Sequence, residues 1–339
     1  MNIKRLETSR LFHRFGFGPR PGEYAQAIKD GVNVTRTKLT IAPAVQTTIS
    51  PVVTPEITDL GKRPEPNSKE IVPFAIVLRN QEQQMGLWWL DMMALSDHGL
   101  TERMVWFWHG HWATSIQKLN YALPMYKQNQ IFRTHALGNF NAMTKAMLND
   151  GALQFWLDGQ DNTAKAPNEN LGRELMELFV LGVNRYSEDD VKAISRVLTG
   201  YQVEKSSGVV TINQNRRDTS PVTLLGKTGS FTGDSLTDFL VARDDCATFI
   251  SERLWYRFIS STETMPTSFS AKKGFATRDI ATTIQAMAAD PSMSDEKYAM
   301  VKSPVEWFIS ACRALELTPS ALKTTGQLNN HLDKLGQVP

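Results

Sequence analysis

The stretch Asn168-Glu-Asn-Leu-Gly-Arg-Glu-Leu-Met-Glu-Leu-Phe-Val-Leu-Gly182 constrains this chain more than any other. Set on a helix at 100° per residue from Leu171, it gathers Asn170, Arg173, Glu174 and Glu177 into one wedge about 100° wide. Most of the remaining circumference is apolar, carrying Leu171, Leu175, Met176, Leu178, Phe179 and Val180. A solvent-facing helix normally shows the opposite proportions, a broad polar half and a narrower apolar stripe. The pattern predicts a mostly buried helix whose charged groups converge on something inside the protein. Asn170, Arg173, Glu174 and Glu177 are therefore the candidate site.

Around this helix the chain has 339 residues, enough for one large domain or two ordinary ones. A hydrophobic fraction of 41% and a charged fraction of 21% are those of a globular protein with ample core material. The formal net charge of +2 is too small to point to nucleic acid or an anionic membrane as partner. No segment approaches the roughly 18 uncharged apolar residues of a membrane span. The start, Met-Asn-Ile-Lys-Arg-Leu-Glu-Thr-Ser-Arg, carries no apolar run of the signal-peptide kind, so the expected location is cytoplasmic. Cys246 and Cys312 lie in apolar helical contexts and read as buried free thiols rather than a disulfide or zinc framework.

In chain order, helices are expected over 5–15, from Pro21 to Lys29, and over 69–97. Residues 40–69 are rich in Pro, Thr and Ser and read as an extended surface loop. Thr101 is a plausible helix cap, and two further helices are expected over 121–137 and 138–150. Ser187 with Asp190 resembles a capping box before the helix Val191–Leu198. From 200 to 235 the character changes. β-branched runs at Tyr201, Val209 and Val222 predict a small β-hairpin or meander inserted in a helical protein. Within it, Gly226-Lys-Thr-Gly229 mimics the end of a phosphate-binding loop, but Pro221 stands where the leading glycine is needed. Helices resume over 235–260, 277–289, 304–316 and 319–335, with Pro304 after Ser303 as a start signal. The reading is one mainly helical bundle domain over 1–339 with a β insertion.

The stretch Thr101-Glu-Arg-Met-Val-Trp-Phe-Trp-His-Gly-His-Trp-Ala-Thr-Ser115 adds two imidazoles. If the helix runs through Gly110, His109 and His111 point about 200° apart and cannot share a metal ion. If Gly110 breaks it, the rings could converge as a chelating His-x-His pair. Both alternatives are open at this level, alongside a pair of neutral core histidines with hydrogen-bonded partners.

Taken together, these motifs resemble the DUF1800 family, a bacterial family with no assigned function. The matching stretches are Leu11-Phe-His-Arg-Phe-Gly-Phe-Gly-Pro, Phe107-Trp-His-Gly-His-Trp-Ala-Thr-Ser115, Gln128-Asn-Gln-Ile-Phe-Arg and Ala136-Leu-Gly-Asn-Phe. Others are the Asn168–Gly182 helix, Leu198-Thr-Gly-Tyr201, Leu254-Trp and Val301-Lys-Ser-Pro-Val-Glu306. The resemblance implies a mainly helical fold and a frequent genetic neighbour of the DUF1501 type. It supplies no catalytic assignment. Relatives typically continue beyond a Gly-Gln-x-Pro sequence, whereas this chain stops at Gly336-Gln-Val-Pro339, so a C-terminal truncation is expected.

Two functional readings follow. In the first, Asn170, Arg173, Glu174 and Glu177 line a pocket, and His109, His111, Glu174 and Glu177 hold a divalent metal for hydrolysis or oxidation. No paired Glu-x-x-His, Gly-x-Ser-x-Gly or His-Glu-x-x-His motif supports a known version of that chemistry. In the second, the chain is a non-catalytic scaffold or partner-binding protein acting with a DUF1501-type protein. Arg173 is then held between Glu169 and Glu177 at i±4 spacing. A polar network closed on itself favours the second reading, and carboxylates facing an open pocket favour the first.

Overall fold

Side-chain caps set many of the helix starts. The computed structural model describes residues 3–322 and 325–337. Its first helices are α1 (Ile3–Arg14), α2 (Glu23–Asp30), α3 (Val32–Thr40), α4 (Ile71–Leu95) and α5 (Gly99–His111). Then come α6 (Ile116–Leu119), α7 (Ala122–His135), α8 (Phe140–Leu148), α9 (Gly151–Trp156), α10 (Asn170–Glu174) and α11 (Glu188–Val197). The last are α12 (Gly233–Val241), α13 (Asp244–Phe258), α14 (Ser270–Gly274), α15 (Ile280–Ala288), α16 (Pro304–Ala314) and α17 (Thr325–Lys334). Asn139 caps α8, Asp150 caps α9, and Ser187 with Asp190 forms the expected capping box of α11. At α16 the Glu306 carboxylate accepts the Ser303 N–H at 3.2 Å, with Pro304 in the first turn. Each such cap satisfies N–H groups that the first helical turn leaves without partners.

The chain is mainly α-helical, with two small antiparallel hairpins where β structure was expected. β1 (Tyr201–Glu204) pairs with β2 (Val209–Ile212), Tyr201 opposite Ile212. β3 (Val222–Leu224) pairs with β4 (Lys227–Gly229). Leu225 and Gly226 turn the second hairpin at φ 50° and 80°, so Gly226-Lys-Thr-Gly229 is a hairpin turn and strand. Residues 41–70 contain no helix or strand, matching the Pro-rich loop.

Two expectations need correction, and one helix was not foreseen. The helix expected over 235–260 is two helices, because the chain turns at Ala242-Arg243 and the acidic Asp244-Asp245 pair suits a new N-terminus. α5 begins at Gly99, ahead of Thr101. α3 was not anticipated from Val-Asn-Val-Thr-Arg-Thr-Lys-Leu-Thr, whose β-branched residues are poor helix formers. Burial overrides that propensity. Thr35 and Thr40 are buried, and their hydroxyls donate to the carbonyls of Gly31 and Arg36 at 3.0 and 2.9 Å.

The chain divides into two compact units. The first comprises Met1–Glu56, Asn80–Phe107 and Ser251–Pro339. Its core stacks Phe15 on Phe258 at 5.9 Å, with Phe107 on the same ring at 5.5 Å. Trp89 packs edge-on against Trp106, and Cys312 is buried as a free thiol. The second unit comprises Ile57–Arg79 and Trp108–Ile250. Its core is built on Trp108, Trp112, Phe132, Phe140 and Phe179, and it holds Cys246. No described helix is long and apolar enough to cross a membrane.

In the second unit α9 starts against the turn between β1 and β2. A Cβ on Gly151 would lie 2.2 Å from the Gly208 carbonyl oxygen, a backbone atom that cannot swing aside. Gly151→Ala is therefore expected to destabilise the fold by about 2–3 kcal/mol, as overpacking does. Chemical denaturation checks this: an unchanged midpoint would contradict the close approach.

Candidate functional site

The Asn168–Gly182 stretch does not keep one helical period. α10 covers Asn170–Glu174, and Leu175–Val180 continues as a π-helical segment with i→i+5 hydrogen bonding. More residues per turn mean that 100° per residue fails beyond Glu174, so Glu177 does not fall where the wedge placed it. The apolar side behaves as predicted: Leu171, Leu175, Met176, Phe179 and Val180 are buried, while Leu178 is exposed. Gly172 is what lets this helix approach α11. A Cβ there would lie 2.7 Å from Ile194 Cγ2 and 3.0 Å from Ser195 Oγ.

The charged groups do not converge inside the protein. Arg173 donates two hydrogen bonds of 2.8 Å to the Glu188 carboxylate and one of 3.1 Å to Glu169. The side chains of Arg173, Glu169 and Glu188 are 32%, 40% and 68% exposed, so this is a solvated ion-pair cluster. Those bonds raise the Arg173 pKa further, and Arg173 holds Glu188 below the usual carboxylate range. The expected Arg173–Glu177 pair is replaced. Glu177 instead accepts the hydroxyl of Tyr186, whose own pKa is pushed up to about 12 by burial and by the Glu177 bond and charge. Asn170 reaches Asp158 at 3.3 Å, and Asp158 in turn pairs with Lys118 at 2.6 Å. Glu174 is half-buried, and burial followed by the nearby Glu177 charge raises its pKa.

The two histidines are separated by an unbroken helix. α5 continues through Gly110 to His111, so the chelating alternative is excluded by the same periodicity that predicted it. His109 packs against Phe132 at 6.4 Å, and burial pushes its pKa down to about 4, leaving it neutral at physiological pH. His111 is 3% exposed among the rings of Trp108, Trp112, Phe140 and Phe179. Its Nε2 lies 2.9 Å from the Phe179 carbonyl oxygen; because a carbonyl only accepts, Nε2 carries the proton. Phe179 sits in the last turn of the π-helical segment, where carbonyls lack partners along the chain. His111 thus caps the very helix with which it was expected to share a metal. Among the described residues no three His, Cys, Asp or Glu side chains gather as a metal ligand set, and the grouping of His109, His111, Glu174 and Glu177 is not assembled.

Sequence reasoning missed a buried polar chain beneath two of the motifs. Thr114 donates to Gln128 Oε1 at 2.6 Å, and Gln128 Nε2 donates to Asp150 at 2.6 Å. Asp150 also accepts the Leu153 N–H at 2.8 Å. It is 2% exposed, and burial outweighs these hydrogen bonds, raising its pKa to about 6. The N-cap position was a visible signal; the burial was not. Asn162, 1% exposed, likewise donates to the Ser195 carbonyl at 2.7 Å and accepts the Asn168 N–H at 2.9 Å. It fixes the loop that leads into α10.

These features define a mainly helical protein whose signature residues mostly satisfy one another. The chain belongs to the family described as "Protein of unknown function (DUF1800)", whose model matches residues 10–339. No curated protein and no solved structure matches it.

His111→Phe keeps a ring and removes the donor. It is expected to cost about 1–3 kcal/mol, the penalty of a buried carbonyl left without a partner; equal thermal stability of variant and parent would contradict the capping role. For Asp150, a folded pKa above the unfolded value near 3.9 means that the folded state holds the proton more tightly. The stabilisation is full below pH 4 and is lost as pH rises through about 6. Asp150→Asn should flatten the stability profile between pH 4 and 6 and leave the variant more stable at pH 8 by on the order of 2 kcal/mol. Denaturation midpoints across that range test it.

Proposed function

We propose that this chain is a non-catalytic helical scaffold that binds a protein partner, and that the Asn168–Gly182 helix serves its architecture. The observation carrying this reading is the closure of the polar wedge. Arg173 is held by Glu188 and Glu169, Glu177 by Tyr186, Asn170 by Asp158, and the terminal carbonyl of Phe179 by His111. A general acid or base must have its reacting atom within reach of substrate, and most of these groups are already engaged. A partner surface is available on the first turns of α4. Val72 and Ile76, four residues apart on one helical face, are 64% and 56% exposed, and Val77 is 42% exposed. Apolar side chains clustered in water favour being covered by another protein. The partner proposed is a DUF1501-type protein, as the family resemblance implies.

Glu174 favours a second reading. Its carboxyl is half-buried, raised by burial and by Glu177, and suited to exchanging a proton in an acid–base enzyme. A metal-assisted version would need ligands other than the His109–His111 pair, whose rings lie on different faces of α5.

The test is binding of the purified DUF1501-type neighbour to the purified chain. Wild type is expected to form a complex that Val72→Asp/Ile76→Asp weakens at least tenfold and Glu174→Gln/Glu177→Gln leaves intact. No complex at micromolar concentration, or loss only in the carboxylate variant, would overturn the scaffold reading.

A further inference from the structure

The first unit holds a cavity of about 300 Å³ whose walls come from α1, Arg103 of α5, and the Glu296–Glu306 segment. Two signature stretches with no role so far meet there, Leu11-Phe-His-Arg and Val301-Lys-Ser-Pro-Val-Glu306. Its polar lining is Arg10, His13, Arg14, Arg103, Lys302 and two carboxylates, Glu296 and Glu306. Arg103 and Glu306 form an ion pair, their side chains 6% and 19% exposed, and so neutralise each other. Arg10 then stands against Glu296 and, just behind the lining, Asp295, whereas Arg14 has no carboxylate of its own, so the lining stays net positive around Arg14 and Lys302.

The guanidiniums are held in place by neutral acceptors. Arg10 donates to the carbonyls of Met293, Asp295 and Tyr298 at 3.0, 2.7 and 2.9 Å, which fixes the loop against α1. Arg14, one helical turn on, is 6% exposed. It donates to the Tyr298 carbonyl, and its other bond is to the weak acceptor Met293 Sδ at 3.7 Å. The remaining N–H groups of Arg14 are unspent. Lys302 makes one hydrogen bond, to Ser310 Oγ at 2.9 Å, and keeps two further donors. Like charges at i and i+4 repel, and burying them without counter-ions is costly. The surroundings carry the mark of that excess: burial and then Arg10 lower the Arg14 pKa to about 9, and burial and then Lys302 lower His13 to about 4.

We propose that this cavity binds a small oxyanion of the phosphate class, held by the free donors of Arg14 and Lys302. An anion satisfies the donors that Arg14 and Lys302 leave unspent, and phosphate oxygens accept both the planar fork of arginine and the point charge of lysine. The cavity volume suits a small molecule rather than a polymer. This site uses none of the residues on which the scaffold reading rests, so either can fail alone.

The test is thermal stability and calorimetry of the full chain with inorganic phosphate or glycerol phosphate, against chloride at matched ionic strength. Saturable stabilisation by either phosphate, absent with chloride, is the expected result; tighter binding of one identifies free or organic phosphate as the source. Lys302→Met should weaken binding at least tenfold. Where that variant folds poorly, NMR titration of wild-type His13 serves instead, its pKa rising from about 4 when the anion offsets Lys302. Stabilisation that tracks ionic strength alone, wild-type affinity in Lys302→Met, or an unmoved His13 would overturn the proposal.

Discussion

A carbonyl at the end of a widened helix needs a donor, and His111 supplies it. The π-helical segment Leu175–Val180 buries Leu175, Met176, Phe179 and Val180, and its last turn leaves carbonyls without chain partners. An unmatched buried carbonyl costs more than a hydrogen bond returns. His111 reaches the Phe179 oxygen from α5 through a ring enclosed by Trp108, Trp112 and Phe140. That requirement fixes the tautomer of His111, the end of the motif helix and the arrangement of the aromatic core around both. Substituents elsewhere in the second unit pack on this arrangement, beginning with Gly172 against α11.

The same principle accounts for other signature residues. Thr114, Gln128 and Asp150 form a buried polar chain that closes on a helix N-terminus, and Asn162 ties a long loop to α11. Buried polar groups are tolerated only when they find partners, and at low dielectric a satisfied network is rigid. Within a signature rich in Asn, Gln, Glu and His, these side chains hold a loop and a helix start in place.

Charge is distributed differently in the two units, each taken by itself. In the second, Arg173, Glu169 and Glu188 are balanced and partly solvated, so water screens them. In the first, Arg10, Arg14 and Lys302 line a concave wall with too few carboxylates to balance them. Uncompensated charge in a cavity is a stronger pointer to a ligand than compensated charge on a surface, because only the former gains from an incoming counter-ion. The helix that first drew attention is in this sense the less ligand-hungry of the two places.

The sequence by itself determined the mainly helical class, the hairpins near 200–235, the buried apolar side of Asn168–Gly182, the cap at Ser187 and the helix start at Pro304. All of these depend on local periodicity or on hydrogen bonds within a few residues. It also framed the histidine question correctly, since a continuous helix separates His109 from His111 by its period alone. What it lacked was the change to π-helical geometry at Leu175, which redirects Glu177 to Tyr186, and the pairing of Arg173 with Glu188. Asp150 could not be read as a buried carboxyl, and α3 was hidden by its β-branched residues. Those outcomes belong to tertiary structure, because hydrogen-bond partners distant along the chain, burial and the dielectric around a charge are set only when separate segments meet.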